Sequence, residues 1–512
     1  MSNVEMQVVK NAKRNIYFGA INRIVVLIIP FIERTVMQQI LGSQYLGLGS
    51  LFQSVIQVLS LSELGFSTAM VYNMYKPAAE GNVQKMNSLL SFYRRVYRII
   101  GCVILGVGLI LIPFLPRLIK GSYPSEIGLT ELYLIYLVNT AISYFLFAYR
   151  TSLIVVHQRD DVNSTINSIV KIGLLGSQIA ILLITKNYYL FSLLMPVFTI
   201  VRNLLIGWRT KTLFPQYRAE GDLAAEDKAR IRKLVAGTFI HQACVVTRNS
   251  LDSICISALL GLTLTAIYNN YYTILKGVTS FVGIFTAAFL GGIGNHVATK
   301  SVEENFQEMK KLDFVYLWIG GWCAICLLCL YQPLMEIWMG KDMMLPMSAV
   351  VLFCSYCYLL KLGDVRAMYN SANGLWWEQR YRALGETLLN LILNITLGKF
   401  FGVHGIIIAT MISLFLCNYI WSVSITFKLY FGKTRMEKYY QYQGAETLVM
   451  VVAAAVTYLI CGLLPSMHSF YQLAARALIC LLIPNIVYYI AFRRTEQFQN
   501  ARKLLIKRCA RG

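Results

Sequence analysis

Ile16-Tyr-Phe-Gly-Ala-Ile-Asn-Arg23-Ile-Val-Val-Leu-Ile-Ile-Pro-Phe-Ile-Glu33-Arg34-Thr-Val-Met-Gln-Gln-Ile-Leu41 is the stretch that decides the fold. An apolar run of this length crosses a bilayer as a helix, which needs about 20 apolar residues. Yet it carries Arg23, Glu33 and Arg34. A charge facing lipid costs at least ~2.5–3.5 kcal/mol, so such groups face protein or water instead. The helical repeat places Arg23 and Arg34 within ~20° of each other and ~16 Å apart along one face. Two cations on one face of a spanning helix point to an aqueous, anion-attracting cavity.

The composition agrees with a membrane protein. Of 512 residues, 57% are hydrophobic and 14% charged, against about 25% charged in soluble domains. The mean hydropathy is +0.56. The chain is therefore expected to be an all-α polytopic membrane protein. Its start, Met1 to Arg14, is polar and the first apolar run is too long for an h-region, so no cleavable signal peptide is expected. The twelve cysteines fall mostly inside apolar runs. Cys323, Cys326 and Cys329 are spaced three apart, as are Cys354 and Cys357, but those spans hold no nearby His or carboxylate. They are expected to be packing residues, with no metal site and no cofactor.

Apolar windows fall at roughly 15–41, 45–73, 97–115, 130–149, 163–185, 188–208, 234–260, 266–292, 314–332, 345–370, 383–400, 404–427, 446–464 and 470–491, about 14 transmembrane helices. With the N-terminus placed in the cytoplasm, 33 of the 47 Lys and Arg residues fall on cytoplasmic segments, nine in spans and five outside. The external five are Arg117, Lys120, Lys186, Lys341 and Lys399. The cytoplasmic ones cluster at Arg94, Arg95 and Arg98, at Arg230, Arg232 and Lys233, at Lys433, Arg435 and Lys438, and at Arg493, Arg494, Lys503, Lys507 and Arg508. This positive-inside bias fixes the orientation, with both termini cytoplasmic. It also explains the net charge of +22 without nucleic acid, because the basic residues are spread over many loops.

The longest cytoplasmic loop before the tail, about Trp208 to Lys233, divides the spans. The expected organisation is an N-terminal lobe at 1–208, a cytoplasmic linker at 209–233, a C-terminal lobe at 234–428, and an extra helix pair with a basic tail at 429–512. That gives two pseudo-symmetric six-helix lobes around a central cavity plus two C-terminal helices. The lobes carry a repeat: Glu33-Arg-Thr-Val-Met-Gln-Gln-Ile-Leu-Gly42 in the first, Asp252-Ser-Ile-Cys-Ile-Ser-Ala-Leu-Leu-Gly261 in the second. Each acid stands nine residues before a glycine that ends its span, which suggests a parallel repeat.

Charges inside the spans are the candidate functional residues. Arg202 and Arg476 sit near span ends and can snorkel. Arg248 with Asp252, and Lys361 with Asp364, can partly neutralise one another along their own helices. Glu386 lies a few residues inside its span. What remains is an excess of cations, nine against five carboxylates. A network built only for structure would balance, whereas an anionic substrate supplies the missing negative charge. Arginine grips phosphate or carboxylate bidentately and lysine acts as a point charge. The substrate-binding candidates are Arg23, Arg34, Arg248, Lys276, Lys361 and Arg366. The candidate ion-coupling carboxylates are Glu33, Glu63, Asp252 and Asp364, and Glu63 has no cation within a turn of its own helix.

Enzyme signatures are missing: there is no G-x-x-x-x-G-K-[ST], H-E-x-x-H or G-x-S-x-G. The five histidines are scattered, and His241 alone lies deep in a span, where packing is expected. A polymerase or glycosyltransferase would need a large external domain, and the external loops are short. The chain is therefore read as a transporter and not an enzyme.

Several stretches resemble the Wzx-like polysaccharide and O-antigen flippases of the multidrug/oligosaccharidyl-lipid/polysaccharide superfamily. They are Ser60-Leu-Ser-Glu63-Leu-Gly65 with Tyr75-Lys76-Pro77; Asp252-Ser-Ile-Cys-Ile-Ser with Gly261 and Tyr268-Asn-Asn-Tyr271; and Asn373-Gly374, Glu386-Thr-Leu-Leu-Asn390 and Gly402-Val-His-Gly405 with Thr410. The resemblance covers roughly residues 10–430. It implies a bacterial inner-membrane flippase that moves undecaprenyl-diphosphate-linked oligosaccharide to the outer leaflet by alternating access, for capsule, O-antigen or exopolysaccharide synthesis. The implied partners are the lipid-linked sugar, membrane lipids, H+ or Na+, and a polysaccharide polymerase and glycosyltransferases. By analogy, the last two spans would groove the lipid tail. The alternative is a cation-coupled multidrug antiporter of the same fold, which would need a cavity rich in carboxylates.

Overall fold

A computed structural model of the chain describes residues 3–63, 65–465 and 468–499. Leu64 of the Glu63 motif and the tail residues Lys503, Lys507 and Arg508 lie outside the described residues. The first unit contains α1 (Asn3–Ile40), α2 (Ser43–Leu59), α3 (Phe66–Ala79), α4 (Val83–Leu111), α5 (Leu129–Phe145), α6 (Thr151–Val156), α7 (Asp160–Thr185), α8 (Tyr188–Leu213) and α9 (Ala225–Leu260). Then come α10 (Leu262–Thr299), α11 (Val302–Met339), α12 (Met347–Lys361), α13 (Asp364–Ala372), α14 (Arg380–Ser413), α15 (Ser422–Thr426), α16 (Met436–Gly462) and α17 (Ser469–Phe492). Every apolar window falls on helix, and no strand occurs among the described residues.

Among the described residues, ten helical segments are long and apolar enough to cross a membrane, or eleven if the bent pair Leu129–Phe145 and Ala148–Val156 counts as one span. The expected windows 383–400 and 404–427 fall together on one such segment, and those at 45–73 and 130–149 are interrupted by turns. The helical segment Arg380–Phe431 has 52 residues, about 78 Å if straight, far beyond a ~30 Å hydrocarbon core. It turns at Gly402, whose φ of 59° and ψ of −135° fall in backbone space that only glycine enters cheaply. A Cβ on Gly405 would stand 2.0 Å from the Leu397 carbonyl oxygen, so the Gly402-Val-His-Gly405 corner admits side chains at neither glycine. The window at 45–73 breaks at Glu63, where a short 3₁₀ turn precedes Gly65 (φ 81°).

By packing, the chain forms two compact units, Met1–Ala266 and Ile267–Gly512. Sequence repeat and packing unit are different quantities: α9, where the second repeat begins, packs on α2 and α3 of the first unit. In that unit α1 lies along α7 through a polar seam. Arg14 pairs with Asp161 at 2.8 Å, and Asn22 Oδ1 accepts from Asn167 Nδ2 at 2.8 Å and Ser168 Oγ at 3.2 Å. The 214–224 loop is docked on α4: Asn87 Oδ1 accepts from the Arg218 N–H at 2.8 Å, and Arg94 donates to the Ala219 carbonyl at 2.9 Å. Arg95 hydrogen-bonds Asp222 and, through that bond and its charge, holds the Asp222 carboxyl below the usual range.

In the second unit α16 and α17 pack on α11. Trp318 Nε1 donates to Asn485 Oδ1, and Trp322 Nε1 to the Cys480 carbonyl, both at 2.8 Å. Trp318 also stacks on Tyr488, with ring centroids 5.3 Å apart. Half-buried indoles with satisfied N–H groups thus fasten the C-terminal helix pair to that unit.

Candidate functional site

The two repeat glycines adopt almost the same backbone conformation. Gly42 has φ 96° and ψ 178°; Gly261 has φ 97° and ψ 173°. Each donates its N–H to the carbonyl five residues back at 3.1 Å, Met37 and Ile256 respectively. A glycine with positive φ closes each helix for the same physical reason. Glu33 and Asp252 each stand nine residues earlier, about 13 Å along their helices.

Around Glu33 the first unit gathers charge from two helices, α1 and α7. Arg34 donates to Ser50 Oγ at 3.3 Å and to the Ala266 carbonyl at 3.2 Å. The positive charges acting on Glu33 are those of Arg34 and of Lys171 on α7. The hydroxyls of Tyr136 and Tyr188 lie 3.0 Å apart within the field of Glu33. Arg23 lies on the exposed part of α1. Arg248 and Asp252 are both buried on α9, 7% and 3% exposed.

Glu63, which sequence left without a partner, is held by tyrosines. Tyr97 donates to one carboxylate oxygen and Tyr144 to the other. The Tyr93 hydroxyl lies 3.0 Å from that of Tyr97 and 2.9 Å from Ser67 Oγ. The donors come from α4 and α5, remote in sequence. In a membrane protein their aromatic rings look like ordinary packing, so no sequence signal marked them.

In the second unit, the expected Lys361–Asp364 pair forms at 2.7 Å, and Tyr316 adds a hydrogen bond to the same carboxylate at 2.6 Å. Arg366 is 1% exposed and donates to the carbonyls of Asn418 at 2.6 Å and Tyr419 at 3.3 Å. Those carbonyls belong to a π-helical segment, Leu414–Trp421, where i→i+5 bonding accompanies a re-aimed carbonyl pattern. Lys276 points its ammonium at the Tyr272 ring, 4.8 Å from the centroid, a cation–π contact. Glu386 forms a buried pair with Arg382 at 2.7 Å.

Four features lay beyond the sequence reading. Arg382 stands one residue before its apolar window. Asp313 stands one residue before another; it is 1% exposed and accepts from Tyr442 and Gln443 of α16. Glu446, at the margin of a third window, is 3% exposed. Protein, not lipid, buries these groups, so hydropathy alone trims them off. Finally, the thiols of Cys329, Cys461 and Cys480 come together from three helices, within 4.8 Å of one another. The side chain of His241 lies outside the described residues.

No family model matches the chain, and no curated protein matches it. Solved structures do. The lipid II flippase MurJ in an inward closed conformation matches with a TM-score of 0.67 at 16% identity, over 93% of this chain and 99% of that one. An inward-facing MATE multidrug resistance transporter of the MOP superfamily matches with a TM-score of 0.60 at 13% identity, over 82% and 99%. A Vibrio cholerae MATE transporter variant matches with a TM-score of 0.53 at 11% identity, over 83% and 98%. What is shared at these identities is the fold: this chain is an all-α, multi-pass membrane protein built as the MurJ and MATE transporters of the MOP superfamily are.

Proposed function

We propose that this protein is a flippase that moves undecaprenyl-diphosphate-linked oligosaccharide from the cytoplasmic to the outer leaflet of a bacterial inner membrane by alternating access, both termini being cytoplasmic. The observation that carries the reading is the excess of cations in the membrane spans, nine against five carboxylates from the sequence, which stays positive when the buried Arg382, Asp313 and Glu446 are added. The pairs Lys361–Asp364 and Arg382–Glu386 cancel one for one and leave that excess unchanged. A diphosphate headgroup balances that excess, and arginine suits it geometrically. The fold shared with a lipid II flippase supports a lipid-linked anionic cargo. Arg23, Arg34, Arg248 and Lys276 are assigned to the headgroup; Lys361 and Arg366, committed to Asp364 and to backbone carbonyls, position the second unit.

A gradient of H+ or Na+ acting through Glu33, Glu63, Asp252 or Asp364, or the membrane potential, drives the cycle. A polymerase and glycosyltransferases of capsule, O-antigen or exopolysaccharide synthesis consume and supply the cargo. The test is translocation of lipid-linked oligosaccharide in cells lacking their own flippase, read as access of a membrane-impermeant sugar reagent to the outer leaflet. Joint replacement Arg23→Gln, Arg248→Gln and Lys276→Gln abolishes the signal while membrane yield is unchanged; retained translocation overturns the assignment.

A second reading, a cation-coupled multidrug antiporter, is favoured by one observation, the Glu63 carboxylate caged by tyrosines. It predicts drug resistance that Glu63→Gln removes and that the triple cation replacement leaves intact.

A further inference from the structure

Cys329 of α11, Cys461 of α16 and Cys480 of α17 present three sulfurs within 4.8 Å of one another, at 1%, 2% and 1% exposure. Every described cysteine is a free thiol. A zinc ion bonded to sulfur at ~2.3 Å sets ligand sulfurs about 3.8 Å apart in a tetrahedron, so small side-chain rotations close the triad on one ion. Cys326, one turn before Cys329, makes a thiol contact with Cys480 and offers a fourth donor.

A second, independent observation is the cation placed there. Arg476 of α17 donates from Nη1 to the Cys329 carbonyl at 3.2 Å, and its charge acts on the Cys329 and Cys461 sulfurs. Its Nε is buried with no hydrogen-bond partner. Arg476 is half-buried and near its span end, so part of its guanidinium can reach water; the part turned to the triad meets negative charge only if the thiols ionise, since neutral thiols supply none. Three thiolates around a divalent ion carry a net charge of −1, which one guanidinium cancels. Three thiolates around a monovalent ion carry −2 and leave an uncompensated anion.

We infer that Cys329, Cys461 and Cys480 form a binding site for a soft divalent metal ion, zinc being the physiological candidate, with Arg476 as its charge partner. Three S–H protons leave to solvent as three S–metal bonds form, so no oxidant is needed. Because the ligands come one each from α11, α16 and α17, the bound ion staples the C-terminal helix pair to α11. The inference is independent of which substrate is carried.

The test titrates Cd2+ into the full-length protein in detergent, in buffer free of thiol reductant, and follows the ultraviolet sulfur-to-cadmium charge-transfer band. One ion binds per chain, and Zn2+ displaces it. Cys329→Ser, Cys461→Ser and Cys480→Ser each weaken binding about tenfold or more, and Arg476→Met weakens it about ten- to hundredfold, as loss of a supporting partner does. Cys354→Ser, on α12, leaves it unchanged. Absence of a charge-transfer band, or a band that survives triple serine replacement, overturns the inference.

Discussion

The Arg382–Glu386 pair allows a quantitative test of how this chain tolerates charge in its interior. The two side chains are 4% and 7% exposed and meet at 2.7 Å, one turn apart on α14; Arg382 also approaches Asn418 Oδ1 at 3.3 Å. With charge centres ~4 Å apart and an effective dielectric of ~20, the attraction is about 4 kcal/mol. Removing two ions from water costs several kcal/mol each, so the intact pair contributes little net stability. Deleting one partner is different, because the other charge stays buried and loses the opposite charge held at 2.7 Å. Glu386→Leu and Arg382→Met should each cost about 3–5 kcal/mol. The double replacement Arg382→Met with Glu386→Leu should return to within about 1 kcal/mol of the parent, a coupling of roughly 5 kcal/mol or more. Equilibrium unfolding in mixed micelles, followed by the emission of the seven tryptophans, measures all four proteins. Single variants as stable as the parent, or a double variant as unstable as the two singles summed, would contradict this account of the pair.

Other expectations follow from single contacts. At the α14 corner, Gly402→Ala should lower stability by about 1–3 kcal/mol through its backbone conformation, and Gly405→Ala by more, because its Cβ would meet backbone at 2.0 Å; thermal midpoints in detergent rank them. Tyr97→Phe and Tyr144→Phe should each cost about 1.5–3 kcal/mol by removing a donor from a carboxylate, and the Glu63→Ala background should erase both effects in the same melting assay. Because Arg95 lowers the pKa of Asp222 below its unfolded value, their contribution to loop docking is fully present above the unfolded pKa of about 3.9 and is lost as pH falls through the folded value. Protease cleavage of the 214–224 loop should therefore rise in strong acid, and Arg95→Gln should remove that dependence.

Much of this was legible in the sequence, because bilayer thickness and helical periodicity act locally. The first apolar run fixed the class, and the Lys361–Asp364 spacing anticipated a pair that forms. The Glu33/Gly42 and Asp252/Gly261 registers anticipated two matching turns. What escaped was decided by packing between distant segments. Glu63 finds Tyr97 and Tyr144 only when α4 and α5 close over it. Asp313 and Glu446 are buried by neighbouring helices where hydropathy had already fallen. Cys329 meets Cys461 and Cys480 from other helices, a proximity that spacing along α11 alone does not show.

The paired turns at Gly42 and Gly261 also bear on which changes descendants of this chain can absorb. With the glycine fixing where each helix stops, the acid's facing is set by counting back from it. Replacing one apolar residue by another between Glu33 and Gly42 leaves that count intact. Inserting or deleting one residue there turns the carboxylate by about 100°, carrying it off its face toward lipid. Sequence identity in this segment can therefore decay freely while its length cannot, and the same holds from Asp252 to Gly261. Length conserved where letters are not is the trace these two hairpins should leave.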